Sequence, residues 1–256
     1  MDIFSSIIIS IVEGITEFLP ISSTGHMIIV SDWLNLGQGD KLKAFEVMIQ
    51  LAAILAIVWI YRSRVNFQNR ILWSKLFVAF LPVGLVGFLF ADFFKSLFSI
   101  KVVAFTFIIG GIALLFTEKM SEKTIREDIR SIDDIGFLDS VKIGLFQVLA
   151  LFPGMSRSAM TIIGGIFVGA GRKISGEFAF LLGVPVMSAT FGYDLLKNYS
   201  IFNAGDFYIL ALGFIIAFFS TYFSVKLFLS FLERFTLFGF GIYRIIFGII
   251  LLLFFV

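Results

Sequence analysis

Glu13 and Glu17 stand four residues apart, and the chain then adds Ser22, Ser23, Thr24, Gly25 and its single histidine, His26. On a helix, residues at i and i+4 share one face. The two carboxylates can therefore hold a divalent cation between them, or like-charge repulsion can keep one of them protonated. A hard cation such as Mg²⁺ or Ca²⁺ suits carboxylate and hydroxyl oxygens together with a substrate phosphate. His26 belongs to the one residue type whose ordinary pKa lies near neutrality, which suits proton transfer. The hydroxyls of Ser22, Ser23 and Thr24 can serve as helix caps, anion ligands or a nucleophile. A second stretch, Pro153-Gly154-Met155-Ser156-Arg157-Ser158-Ala159-Met160-Thr161, sets an arginine among hydroxyls just where a helix begins. Free backbone N–H groups at a helix start, with a planar, permanently charged guanidinium beside them, make a phosphate site. Pairing of Arg157 with Glu13 or Glu17 is the structural alternative, and both roles are compatible. Carboxylates, hydroxyls, a histidine and an arginine fit phosphoryl transfer at a phosphate or diphosphate. The absence of cysteine excludes thiol catalysis, disulfides and cysteine metal sites.

Both stretches interrupt apolar sequence. Hydrophobic residues make up 59% of the chain and charged ones 15%, with 35 phenylalanines. That composition predicts an all-α integral membrane protein whose site sits among apolar helices, where an ionisable residue is a functional candidate by default. A net charge of +2 with no basic block argues against a nucleic-acid partner. Apolar runs near the length of about 20 residues that a bilayer needs lie at roughly 42–61, 74–91, 101–117, 176–196, 206–225 and 237–256. The stretches 3–18 and 20–33 are each about half that length and are split at Pro20; 139–152 and 156–169 are split at Pro153-Gly154. Proline removes a backbone donor, and freed backbone groups survive in hydrocarbon only where protein or a water-filled cavity satisfies them. Each pair is therefore expected to form a re-entrant hairpin, 3–33 and 139–169.

The chain reads as an inverted repeat of about ten helical segments: 1–117, a cytoplasmic linker 118–138, and 139–256. Each half is a broken-helix hairpin followed by three transmembrane helices. Glu13 precedes Pro20 much as Gln147 precedes Pro153, and Ser23 and Ser156 each follow their proline by three. An odd number of crossings per half turns the second half over, which brings the broken helices together near the midplane. Arg62, Arg64, Arg70, Arg126, Arg130, Arg172 and Arg234 would then share one side, which the positive-inside rule makes cytoplasmic. Both termini and the mouth of the site face outward in this reading. The N-terminus lacks a basic segment and a small-residue cleavage site, so the first helix is expected to be retained. Glu46 and Gln50 can face the site from the first full span. Glu177, Asp194 and Arg244 fall near expected span ends, where snorkelling or interhelix pairing accounts for them.

Glu13-x-x-x-Glu17-Phe18-Leu19-Pro20-Ile21-Ser22-Ser23-Thr24-Gly25-His26 and Pro153-Gly154-Met155-Ser156-Arg157-Ser158-x-x-Thr161 resemble the two signature stretches of the undecaprenyl-diphosphate phosphatases of the BacA, or bacitracin-resistance, type. Phe45-Glu46-x-x-Ile49-Gln50-Leu51 is similar to that family's next segment, and the span pattern agrees over nearly the whole chain. The resemblance implies hydrolysis of undecaprenyl diphosphate to the monophosphate in the inner membrane, so that the lipid carrier is recycled for cell-wall synthesis. It implies dependence on a divalent cation and a homodimer. By the same resemblance Glu17, Ser23, His26 and Arg157 are the catalytic set, and Glu13 and Glu17 hold the metal. Glu13, Ser22, Thr24, Gly25, Gly154, Ser156, Ser158 and Thr161 contact the substrate. An ion-coupled transporter or lipid flippase is the alternative, since inverted repeats with midplane acids are also what carriers use.

Overall fold

A computed structural model describes residues 1–36, 39–66, 68–198 and 207–256. Among them the protein is all helical, with eleven α-helices and two short 3₁₀ turns. Helix α1 is Ile3–Thr16, α2 Ser23–Trp33, α3 Asp40–Ile60, α4 Arg70–Leu89, α5 Ala91–Ser96 and α6 Ile100–Thr124. The second half has α7 Phe137–Val148, α8 Arg157–Phe167, α9 Arg172–Asn198, α10 Phe207–Arg234 and α11 Phe238–Phe254. Hydrocarbon offers no partner for a backbone N–H or C=O, so sequence this apolar must satisfy those groups internally. Polar side chains sit at the helix starts: Asp2 accepts from the N–H of Ser5, Asn69 from Leu72 and Ser99 from Val102.

Among the described residues four helices are long and apolar enough to cross a bilayer, within Arg70–Leu89, Ile100–Ser121, Arg172–Tyr193 and Phe207–Arg234. The runs expected at 42–61 and 237–256 appear as the shorter apolar helices Ala44–Ile60 and Phe238–Phe254. The outer surface is apolar: Phe88 is 84% exposed and Phe254 77%, whereas Glu13, Ser158, Thr161 and Arg244 are buried. This reversal of a soluble protein's pattern is what a lipid environment demands.

Several helices extend past the expected span edges. Helix α6 continues to Thr124 and α9 begins at Arg172, so part of the segment expected as linker is helix. Charged side chains tolerate a helical backbone at the interface by reaching for water or partners. Here Glu118 pairs with Arg172 and also accepts from the N–H of Leu237, joining α6, α9 and the start of α11. The rest of the linker is pinned by Arg64 on Asp133 at 2.8 Å, by Lys75 Nζ on the carbonyl of Asp133 at 2.7 Å, and by Arg126 on Asp139 at 3.1 Å. Asp134 closes a 3₁₀ turn at Ile132–Asp134 by accepting from Arg130 and Ser131. Those donors hold its carboxyl below the ordinary value.

What positions the site is the packing of the two broken hairpins. Helix α1 lies against α10 and α7 against α4, while α6 and α11 pack together beneath the two turns. A larger groove of about 430 Å³, lined by Ile15, Leu19, Phe223, Leu227 and Phe231, lies between α1 and α10, and its described lining carries no titratable group.

Candidate active site

The turns that split the hairpins end alike. Ser22 has φ 64° and ψ 105° and Ser156 has φ 74° and ψ 114°, and each immediately precedes the second helix of its hairpin, α2 or α8. Positive φ is costly for a residue with a side chain and is kept where the surroundings over-determine it. The match corrects the register expected from the prolines, because Ser156 corresponds to Ser22 and not to Ser23. Arg157 then takes the place of Ser23, and Gln147 that of Glu13. The prolines mislead because the second turn carries an extra residue, absorbed at Gly154, where φ is +88° and a side chain would strike Thr106 and the carbonyl of Val103.

Between the turns lies a cavity of about 300 Å³. Glu17, Ser23 and Thr24 line it from the first hairpin and Gly154, Ser156 and Arg157 from the second, with Ser22 and Gln50 also on its wall. Ser23 Oγ donates to Glu17 Oε2 at 2.6 Å, and Arg157 Nη2 donates to Glu17 Oε1 at 3.4 Å. The guanidinium is held from behind by the carbonyl of Ala179 at 3.1 Å and lies 5.0 Å from the centre of the Phe18 ring. A carboxylate that accepts a serine proton at hydrogen-bond distance is arranged as a general base for that hydroxyl. The arginine beside it can exchange the carboxylate for a phosphate oxygen.

Other residues of the expected set serve the frame. Ser158 Oγ donates to the carbonyl of Leu19 at 2.7 Å and so stitches one hairpin to the other. Thr161 donates to the carbonyl of Arg157 at 2.8 Å and lies 3.3 Å from Gln147. Both hydroxyls are fully buried and neither lines the cavity. Gly25 allows α2 to rest on the Phe107 ring. His26 also stands off the cavity wall: its Nδ1 is 2.7 Å from the carbonyl of Ser22, its Nε2 is 2.6 Å from the Tyr243 hydroxyl, and its ring stacks on Phe247 at 4.5 Å. A carbonyl can only accept, so Nδ1 carries a proton and the neutral ring takes the tyrosine proton at Nε2. Glu13 points into a neighbouring cavity of about 210 Å³ together with Glu46, and Glu17 is absent from that lining.

Arg244 departs from the expectation of a snorkelling or ion-paired residue. It is fully buried and its hydrogen bonds go to backbone carbonyls: Nη1 to Pro20 at 3.2 Å, Nη2 to Gly154 at 3.0 Å and Thr106 at 3.2 Å, Nε to Phe107 at 3.4 Å. One side chain thus fastens both turns to α6. The signal was present in the sequence, an arginine inside an apolar run with no acid near it, but the groups that satisfy it are main-chain atoms that carry no sequence signature.

A lipid-facing helical bundle with an acid, a hydroxyl and an arginine converging where two broken hairpins meet defines a membrane-embedded protein with a site for an anionic ligand. The chain belongs to the bacitracin resistance protein BacA family, whose model matches residues 6–250. It is 49% identical over 255 residues to the undecaprenyl-diphosphatase of Sulfurimonas denitrificans, with all of both chains covered. It is 50% identical over 253 residues to that of a Sulfurovum species, covering 99% of each chain. A protein of the same name from Methanococcus aeolicus is 45% identical over 256 residues, again across both whole chains.

Proposed function

We propose that this chain is an undecaprenyl-diphosphatase, converting undecaprenyl diphosphate to undecaprenyl phosphate and inorganic phosphate. The recycled carrier sustains cell-wall synthesis, and faster recycling confers resistance to bacitracin. The observation that carries the reading is the Ser23–Glu17–Arg157 chain of contacts in one cavity, joined to the names of relatives aligned over essentially the whole sequence.

In the mechanism we favour, Arg157 leaves Glu17 to grip the outer phosphate, and the free Glu17 carboxylate takes the Ser23 proton. Ser23 Oγ bonds to the outer phosphorus as the bond from that phosphorus to the bridging oxygen breaks, and undecaprenyl phosphate departs with the electron pair. Water then cleaves the phosphoserine, with Glu17 returning the proton to Oγ. Water attacking in place of Ser23 is the competing route. His26 has both ring nitrogens engaged, which favours holding the Ser22 turn over attacking phosphorus. Phosphoryl transfer needs chiefly positioning and charge stabilisation, and these residues supply both.

The reading calls for a divalent cation, Mg²⁺ or Ca²⁺. Among the described residues no three of His, Cys, Asp and Glu gather as a ready-made cluster. The fit is to an ion taken by few carboxylates plus substrate phosphate, with Glu13 and Glu17 as its acidic partners; one buried oxygen of Glu13 has no hydrogen-bond partner. When bound, the ion would neutralise phosphate charge.

The fold reading is an inverted repeat with two re-entrant hairpins, supported by the reciprocal packing of α1 on α10 and α7 on α4 and by the matched Ser22 and Ser156 turns. The localisation is the inner membrane, with termini and site opening outward, supported by the side-to-side asymmetry of arginines in the sequence. A homodimer completes the proposal, and cross-linking in native membranes tests it.

The deciding experiment is phosphate release from a long-chain prenyl diphosphate by detergent-purified protein, with and without Mg²⁺ or Ca²⁺, beside Glu17→Ala, His26→Ala and Arg157→Ala. Release abolished by the Glu17 and Arg157 changes is the expected result. Folded protein without release overturns the assignment and turns the question to lipid flux in liposomes.

A further inference from the structure

The cavity between the two turns has a lining divided by chemistry. Glu17, Ser23, Thr24 and Arg157 are polar; Ala150, Phe152, Val186 and Met187 are apolar, with Thr190 beside them. Helix α9 gives the apolar part its direction. A side chain at Gly183 would strike the Arg157 guanidinium, so α9 touches the polar groups there. Met187 stands one turn further along α9 and Thr190 nearly one more, on the same face, about 10 Å from Gly183 at the helical rise. Thr190 Oγ1 donates to the carbonyl of Val186 at 3.2 Å, which spends its hydroxyl on its own helix. Met187 is 7% exposed and Thr190 is exposed, so the cavity opens along this face as it leaves the arginine.

The short helix α5 crosses that opening. At one side its Phe94 ring meets Phe152 edge-on at 5.4 Å; at the other, Lys95 Nζ lies 5.8 Å from the centre of the Tyr193 ring, on the turn of α9 after Thr190. No residue of α5 is buried, and Phe90 and Phe93 are more than half exposed. The groove between α1 and α10 is larger and also apolar, but its described lining shares no residue with this cavity. A row of rings closes the way between them: Phe18, under Arg157, packs on Phe180 at 5.6 Å, and Phe180 packs on Phe228 of the groove at 5.9 Å. Phe18 and Phe180 are fully buried and Phe228 is 3% exposed.

We infer that the prenyl chain of the substrate leaves the site over Phe152, Val186 and Met187 and passes out between α9 and α5, with Phe94 as a clasp over its first units. The inference rests on the phosphatase reading for the substrate class, a prenyl diphosphate, and adds which residues take its chain. A diphosphate held at Arg157 has one apolar surface continuous with it, and an isoprenoid chain gains by leaving water or polar lining for that surface. A cavity of about 300 Å³ cannot enclose a chain as long as undecaprenyl. The first units lie in it, and the remainder lies in lipid beyond α5. Contacts to a part of the substrate that does not react also fix the reacting phosphorus against Ser23.

The path is measurable without turnover. A prenyl methylenediphosphonate carrying a diazirine in the isoprene unit next to the headgroup is irradiated with detergent-purified full-length protein, and the labelled residues are read by mass spectrometry. Label on Phe94, Phe152, Val186 or Met187 that undecaprenyl diphosphate displaces is the expected result. Label on Phe223, Leu227 or Phe231 places the chain in the groove between α1 and α10 and overturns the path, as does label that undecaprenyl diphosphate fails to displace. Steady-state phosphate release gives a second readout. Val186→Trp should raise KM for undecaprenyl diphosphate about tenfold or more with a smaller change in kcat, whereas Leu227→Trp in the groove should leave both within about twofold. Phe94→Ala, on a helix with no buried residue, should raise KM several-fold. The reverse ranking of Val186→Trp and Leu227→Trp, in variants whose size-exclusion and melting profiles match the parent, overturns the path. Displaceable label on the expected residues of a protein that releases no phosphate would instead refute the phosphatase reading and leave the path standing.

Discussion

Arg157 Nη2 and Glu17 Oε1, 140 positions apart in sequence, meet at 3.4 Å, while the other oxygen of Glu17 holds Ser23 at 2.6 Å. In the proposed mechanism the longer contact is the one that substrate replaces, and the shorter is the one that moves a proton. A guanidinium can give up one carboxylate oxygen and still be held by the Ala179 carbonyl and the Phe18 ring. Arg157→Lys keeps the charge but loses the fork. Phosphate release should fall on the order of 10² to 10³-fold, with the folded fraction unchanged by circular dichroism; near-normal turnover would remove Arg157 from the site.

Ser23 and Ser158 are both hydroxyls of the signature stretches, but only Ser23 lines the cavity. Ser23→Ala should abolish turnover with little change in thermal stability. Ser158→Ala should do the reverse, lowering stability by about 1–3 kcal/mol because the Leu19 carbonyl is left buried without a donor, while much of the turnover survives at low temperature. Substantial turnover by Ser23→Ala would establish water as the nucleophile.

Arg244 sets the distance between the turns. Arg244→Gln reaches fewer of the four carbonyls, and leaving either turn carbonyl, Pro20 or Gly154, without its donor costs about 1–3 kcal/mol. Arg244→Lys retains charge without the reach of a planar fork. Both variants should lose kcat more than they raise KM in steady-state assays, and both should melt earlier. A change confined to melting temperature would limit Arg244 to a purely structural role.

Two substitutions separate the bonds of His26. Tyr243→Phe removes the Nε2 partner and leaves the ring stacked and bonded to Ser22, so turnover should change little. His26→Phe removes the Nδ1 bond that holds the Ser22 carbonyl and should cost much of kcat without altering the pH profile of the remaining activity. A pH–rate profile that loses one limb in His26→Phe would show direct proton transfer instead.

The linker should loosen in acid. Asp134 has a folded-state pKa below its ordinary value of about 3.9, because Ser131 and the backbone of Arg130 and Ser131 donate to it. Its stabilising effect is therefore full above that ordinary value and is lost as pH falls through the lower, folded one. Hydrogen exchange across residues 126–136 should rise in that window, and Asp134→Asn should exchange quickly at all pH values tested.

Periodicity and hydropathy carried much of the architecture. A half-length apolar stretch ending at Pro20 or Pro153 cannot cross a bilayer and cannot leave its backbone open, so the breaks were legible, and with them the residues placed at the breaks. Helix ends were less so: α6 reaches Thr124 because Glu118 finds Arg172 and Leu237, partners outside any local window. The register between the halves was misjudged by one residue for a similar reason, since a glycine at positive φ absorbs an insertion that counting from proline cannot see.

Composition and motif spacing by themselves determined that this is a membrane helical protein with acids, hydroxyls and an arginine at two breaks, because hydrocarbon penalises those residues anywhere else. Only the tertiary structure decided how they divide. Glu17 and Ser23 face Arg157, Glu13 lines an adjoining cavity that shares Ser23, Thr24 and Gln50 with theirs, His26 braces a turn, and Arg244 ties both turns together. Two acids on one helical face share a direction from their own axis, but which cavity each enters depends on the helices packed against that face. Main-chain carbonyls, which every residue owns alike, are what Arg244 grips.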